Sequence, residues 1–193
     1  MTIDRTVCVI DDDVDVRESL VLLIRRKYRT LAFDSARAFL GADIGAKDCC
    51  ALVDIRMPEM DGLRLQREIR RKMPGLPVIV MTGHGDVPMA VQAMKDGAIE
   101  FLEKPFEKTT LMAALEAAFT RSTTPDRAKR EPRKALTERE KEIFDLLVEG
   151  HQNKVVAHKL AISTRTVEVH RRRIMEKLNA KNLADLVRHA LSR

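Results

Sequence analysis

VCVIDDDVDV, from Val7 to Val16, passes in one step from apolar strand material to three adjacent carboxylates, Asp11, Asp12 and Asp13, with Asp15 just beyond. Neighbouring anions repel and burial makes each one costlier, so a cation is expected close by. The run TVCVI has the composition of a buried strand, and the apolar positions that follow it, Val16, Leu20, Leu23 and Ile24, recur at helical spacing.

The alternation continues through TLAF, a short helix around SARAFL, CALVD, LRLQREIRRKM, PVIVMT, VPMAVQAMKDG, EFLEK and TTLMAALEAAF, with Gly41, Pro74, Gly75, Gly85 and Gly97 as breaks. Five strands and five helices in this order predict an α/β domain with an open, five-stranded, doubly wound parallel sheet. Ligands of such sheets sit outside the carboxyl ends of the strands, where strand order reverses. Those ends carry unusual polar residues here: Asp11 and Asp12 after the first strand, Asp54 after the third, Thr82 after the fourth and Lys104 after the fifth. Carboxylates converging on one point suit a hard cation such as Mg²⁺, which keeps several waters. A hydroxyl and an ammonium opposite suit the remaining oxygens of a phosphoryl group. Singly, each residue has a plainer reading as a turn, cap or solvated loop position. Jointly they read as a phosphorylation site. Asp13 is expected to point away from Asp12 into solvent, and MPEMDG reads as a loop in which Pro58 and Gly62 set the backbone angles.

With 193 residues, 45% hydrophobic and 33% charged, the chain can bury two small cores. Residues 1–120 hold 17 basic against 19 acidic residues, a net of −2, whereas 121–193 hold 18 against 10, a net of +8. A basic C-terminal third suggests a polyanionic partner. Between the halves, RSTTPDRAKREPRKAL is rich in charge and proline. The expected organisation is therefore a domain over 1–120, a linker over 121–135 and a small all-α domain of four helices over 136–193. No apolar run reaches the roughly 20 residues of a membrane span, and no signal core follows the N-terminus, so a cytoplasmic protein is expected. Cys8 lies in an apolar run and Cys49 and Cys50 are adjacent, a pattern of small core residues.

VIDDD, LVDIRMPEMDG, VIVMTGHGD and EFLEKPF, in that order, resemble the receiver domain of two-component response regulators. The resemblance implies the flavodoxin-like strand order 2-1-3-4-5, and that Asp54 accepts a phosphoryl group from a sensor histidine kinase. It implies that Asp12, Asp54 and the main-chain carbonyl of Arg56 bind Mg²⁺ with help from Asp11, and that Thr82 and Lys104 hold phosphoryl oxygens. Phe101 would be the aromatic that changes rotamer when Thr82 moves, and the peptide before Pro105 would be cis. Catalysis would be limited to the protein's own phosphoryl transfer and dephosphorylation. Two other readings of the opening stretch compete. Asp11, Asp13 and Asp15 begin a calcium-loop pattern, but Val16 and Leu22 stand where glycine and glutamate are needed. VIDDDV also fits the Asp-x-Asp-x-Val motif of haloacid-dehalogenase-type phosphatases, with Asp11 as nucleophile and Asp13 as acid; the late acidic pair of that family is missing.

From Leu136 onward, LTEREKEIFDLLVEGHQNKVVAHKLAISTRTVEVHRRRIMEKL is similar to the LuxR-type helix-turn-helix. Thr137 and Glu140 have capping-box spacing, and Ser163 stands as the cap of STRTVEVHRRR, a helix suited to the major groove. Glu168, Val169 and Arg172 share its outward face and are the expected base readers. Asn153, Lys154, Ser163, Thr166, His170, Arg171, Arg173 and Lys177 are expected to contact phosphates or position the helix. TGHGDVPMAVQAM and EFLEKPFE are especially similar to the FixJ branch. The combination implies a phosphorylation-dependent transcription regulator that dimerises when phosphorylated, with a histidine kinase, double-stranded promoter DNA and RNA polymerase as partners and no membrane. A module that binds DNA without phosphate is the second class.

Overall fold

Five short strands, β1 (Thr6–Ile10), β2 (Arg29–Phe33), β3 (Cys49–Asp54), β4 (Val78–Thr82) and β5 (Glu100–Glu103), differ sharply in polarity, and that difference dictates their places. Every residue of β1, β3 and β4 is buried, as befits central strands covered on both faces. Exposed residues are confined to β2 and β5, the two edges. All neighbours pair in parallel, in the order β2-β1-β3-β4-β5 expected from the sequence. The structure, a computed structural model, describes residues 5–45, 48–83, 87–121, 136–180 and 182–191. The chain divides into two compact units, one built on the sheet and one helical.

In chain order the first five helices are α1 (Val14–Ile24), α2 (Ala36–Gly41), α3 (Gly62–Lys72), α4 (Val87–Lys95) and α5 (Lys108–Arg121). Strand side chains alternate between faces. Those of Val7, Val9, Cys50, Leu52, Ile79, Met81 and Leu102 share one buried cluster with Leu20 and Ile24 of α1 and Leu111, Leu115 and Phe119 of α5. Tyr28 stacks on Phe119 at 5.4 Å between ring centroids and donates its hydroxyl to Glu116 at 2.8 Å. The residues of opposite parity, Cys8, Ile10, Ala51, Val53, Val78 and Val80, are buried as well. All three cysteines are free and buried, and burial pushes the Cys8 thiol up to about 12, so it stays a neutral core residue.

The helical unit contains α4 together with α6 (Glu138–Val148), α7 (Asn153–Lys159), α8 (Thr164–Leu178) and α9 (Leu183–Leu191). Thr137 and Glu140 form the expected capping box. Glu140 is itself buried and takes a further bond from Lys177 Nζ at 2.6 Å, which joins the start of α6 to the end of α8. These donors hold the Glu140 carboxyl down at about 2, Lys177 contributing most. Ile143, Phe144, Val156, Val167, Ile174, Leu178, Leu186 and Val187 are buried in this unit. Among the described residues no helix is long and apolar enough to cross a membrane. The linker expected over 121–135 lies outside the described residues, except Arg121, which ends α5.

Candidate functional site

Strand register alone brings the predicted residues together. Ile10 pairs with Val53, Asp54 with Met81, and Thr82 with Glu103. By register Asp11 is therefore level with Asp54 at the carboxyl edge of the sheet, Thr82 stands one residue beyond them and Lys104 one residue beyond Thr82. Ladder bonds continue past the strands: Asp11 N–H donates to Phe33 O at 3.2 Å, Ile55 N–H to Met81 O at 3.0 Å and Lys104 N–H to Thr82 O at 2.7 Å.

Lys104 places one cation beside the opening stretch. Its ammonium donates to Asp11 Oδ2 at 2.7 Å and Asp54 Oδ1 at 2.6 Å, linking three strand ends. Burial works against the charged form of Lys104, but the two carboxylates outweigh it and raise its affinity for the proton. Burial raises the Asp11 carboxyl despite its bonds to Lys104, with the nearby Asp54 charge adding to the shift. Asp54, 7% exposed, also accepts from the Arg56 N–H at 2.6 Å. Asp12 is exposed. Thr82, buried, donates its hydroxyl to the Gly83 carbonyl at 3.2 Å. Phe101 is half-buried on β5 opposite Val80, which by parity puts it on the same sheet face as Thr82. The peptide between Lys104 and Pro105 is cis, as the receiver resemblance implied.

Two expectations change. Asp13 is exposed, but it is the N-cap of α1: its Oδ1 accepts from Asp15 N–H at 2.9 Å and Val16 N–H at 3.2 Å. Its own N–H donates to Asp11 Oδ1 at 3.0 Å. A cap signal, aspartate two residues before a helical period, was present in the sequence. In MPEMDG the left-handed residue is Glu59, at φ +63°, and Asp61 caps α3. Gly62 is required by crowding, because a Cβ there would lie 2.3 Å from the Asp54 carbonyl oxygen and 2.9 Å from Ile55 Cα.

No three carboxylate, imidazole or thiolate side chains form a closed cage among the described residues. Mg²⁺ does not need one, since it takes one or two carboxylates and retains water. The donors are all hard oxygens, and the carboxylates of Asp11 and Asp54 outnumber the ammonium they share, so the residues fit that cation.

The second predicted surface lies on α8. Glu168, Arg172 and Arg173 are exposed, whereas Val169, His170 and Arg171 are half-buried. A groove is lined by Asn153 of α7 with Glu168, Arg171, Arg172, Met175 and Asn179, which unites two of the expected base readers with two expected phosphate contacts. Ser163 Oγ accepts from Thr166 N–H at 3.0 Å and lies 2.8 Å from Thr166 Oγ1, so both side chains hold the helix start. His170 Nδ1 is buried without a hydrogen-bond partner among the described residues, which makes the ring partly a packing element. Lys154 is exposed near the start of α7, while Lys177 is engaged by Glu140. Arg165 was missed in the sequence: it is exposed in the first turn of α8 and shares a stripe with Val169 and Arg172 at i, i+4 and i+7.

Residues 7–116 match the response regulator receiver domain family, and residues 134–190 match the luxR family of bacterial regulatory proteins. The chain is 45% identical over 190 residues to the transcriptional regulatory protein FixJ of Azorhizobium caulinodans, spanning 95% of this chain and 90% of the relative. It is 42% identical over 196 residues to FixJ of Rhizobium meliloti, spanning 98% and 96%. The crystal structure of full-length FixJ from B. japonicum matches with a TM-score of 0.60 and 38% identity over 99% of this chain and 98% of that one. Neither match favours the phosphatase alternative. The chain belongs to the two-component response regulators that join a receiver domain to a luxR-type DNA-binding domain, is FixJ-like, and is a transcriptional regulator rather than a metabolic enzyme.

Proposed function

We propose that Asp54 accepts a phosphoryl group from a sensor histidine kinase, and that the modified receiver dimerises and brings two helical units to paired half-sites on promoter DNA. The observation that carries this reading is the pair of bonds from Lys104 to Asp54 at 2.6 Å and to Asp11 at 2.7 Å at the carboxyl edge of the sheet. A carboxylate oxygen of Asp54 attacks phosphorus as the bond from phosphorus to the kinase imidazole breaks. Lys104 then offsets the charge of the acyl phosphate. Thr82, whose hydroxyl bonds only the adjacent Gly83 carbonyl among the described residues, can turn to a phosphoryl oxygen, and Phe101 on the same sheet face can follow. Asp12, Asp54 and the Arg56 carbonyl, with Asp11 behind them, would hold Mg²⁺, which would neutralise charge on the phosphoryl oxygens. The energy of the switch comes from contacts that the phosphoryl group makes in one state only. On DNA, Glu168, Val169 and Arg172 read bases while Asn153, Lys154, Arg171 and Arg173 meet the backbone, and RNA polymerase is the downstream partner. Such a regulator works in the cytoplasm, where kinase output and promoter meet.

Incubation with acetyl phosphate and Mg²⁺ tests the reading. The unaltered protein is expected to gain an acid-stable, hydroxylamine-labile phosphoryl group and to shift to a dimer with beryllofluoride. Undiminished labelling of Asp54→Asn would refute the assignment of the acceptor, and a monomer with and without beryllofluoride would refute the dimer switch.

A further inference from the structure

Asp11 is held at every polar atom. Its N–H donates to Phe33 O at 3.2 Å, its Oδ1 accepts from Asp13 N–H at 3.0 Å, and its Oδ2 accepts from Lys104 at 2.7 Å. Its carbonyl oxygen accepts from Arg17 Nη1 at 2.7 Å. The last bond differs from the others because it fixes the peptide plane that joins Asp11 to Asp12. Asp12 itself is exposed, and its carboxylate has no hydrogen-bond partner among the described residues. The place from which the Asp12 side chain starts is set by the backbone that carries it.

We infer that Arg17 is a positioning residue for the phosphorylation site: by clamping the Asp11 carbonyl it aims the Asp12 carboxylate at the place where a divalent cation binds. The inference rests on the cation role of Asp12 in the proposed function. Arg17 is well placed for this. It is half-buried in α1, and the start of that helix is pinned to the end of β1 by the Asp13 cap and by the Arg17 N–H, which donates to Asp13 O at 3.0 Å. The donor is a charged guanidinium and its bond is of charge-assisted length. Groups that orient metal ligands in this way typically alter affinity by about 10- to 100-fold when removed.

Positioning and simple electrostatics predict opposite signs. A guanidinium near the carboxylates repels a second cation, so by charge alone its removal tightens Mg²⁺ binding. As a clamp, its removal weakens binding. Titration of the full-length chain with Mg²⁺ alone, followed by calorimetry, separates the two. Arg17→Met is expected to bind about tenfold more weakly, Arg17→Lys to recover part of that loss through its single donor, and both to melt near the unaltered protein without Mg²⁺. Labelling by acetyl phosphate in Arg17→Met should return to the normal maximum at high Mg²⁺. A lowered maximum at saturating Mg²⁺ would mark a general structural role and overturn the inference. Equal or tighter Mg²⁺ binding by Arg17→Met overturns it too. If Arg17→Met unfolds early, Arg17→Lys decides: normal affinity with a lengthened or lost bond to the Asp11 carbonyl in its crystal structure counts against the clamp. Absence of Mg²⁺ binding by the unaltered protein would instead overturn the site reading itself, and this inference with it.

Discussion

The two polar regions of this molecule are built on opposite principles. The carboxylate site gathers residues 11, 54, 82 and 104 from four strand ends, buries three of them and lets one ammonium bridge two carboxylates. The α8 surface takes most of its residues from one helix between 163 and 177 and leaves them largely exposed. In the first region each group is coupled to the others through short bonds in a poorly solvated setting, so a single change disturbs the whole. In the second, Glu168, Arg172 and Arg173 face water and act nearly independently. The contrast predicts an all-or-none loss where the acceptor carboxylate itself is changed and graded losses in the helical unit.

The sharpest way to break the comparison is Asp54→Asn. Acyl phosphate formation should fall to background, whereas DNA binding by the unphosphorylated full-length chain, measured at one salt concentration, should stay unchanged. Graded residual labelling would place a second acceptor at the edge of the sheet. Next comes Gly62→Ala, where the added Cβ must displace the backbone of Asp54 and Ile55. Overpacking of this kind costs about 1–3 kcal/mol, and the upper end is expected because backbone atoms are the ones in the way. Chemical denaturation should show the loss in the sheet unit, together with slower phosphorylation.

Glu140→Gln probes a place where the helical unit resembles the carboxylate site, since Glu140 is buried and serves Thr137 and Lys177 at once. Loss of these charged hydrogen bonds should destabilise that unit by about 2 kcal/mol in thermal melts. Acid should have the same effect in the unaltered protein. The Glu140 carboxyl is lowered to about 2 when folded from its ordinary 4.5, so its stabilisation is complete above 4.5 and disappears as pH falls toward 2. Glu140→Gln should flatten that part of the pH profile; an unchanged profile would remove Glu140 from the account. The smallest and most local effects belong to α8. Arg172→Ala should weaken DNA binding by about 1–3 kcal/mol at one base position and leave the others alone, while Lys154→Ala should weaken all sequences alike and reduce the salt slope by about one. Equal losses for Arg172→Ala on specific and random DNA would make Arg172 a phosphate contact.

Much of this was legible in local pattern. Apolar runs of strand length separated by helical periods were enough to predict a parallel sheet, because parallel strands buried on both faces must be apolar throughout, while the order of the strands came with the receiver resemblance. Polar residues at the ends of such runs then had to meet at one edge, which located Asp11, Asp54, Thr82 and Lys104. The capping box of Thr137 and Glu140 was equally readable, being a contact over three residues. Asp13 as a cap was available by the same rule and was passed over.

What remained hidden depended on distances between elements. That Lys104 bonds Asp11 as well as Asp54 follows from the register of β1 against β3 and from the reach of β5, neither of which is written in any one segment. Gly62 resembles an ordinary turn glycine until the start of α3 is seen pressed against the Asp54 carbonyl. The bond from Lys177 to Glu140 spans 37 residues, and the clamp from Arg17 to the Asp11 carbonyl needs both the strand end and the helix start in place. The sequence by itself determined which chemical groups would stand at the sheet edge and on α8, because periodicity decides which side of an element a residue occupies. Only the tertiary structure decided which of those groups touch, because hydrogen bonds and steric contacts change over a few tenths of an ångström, and packing sets distances on that scale.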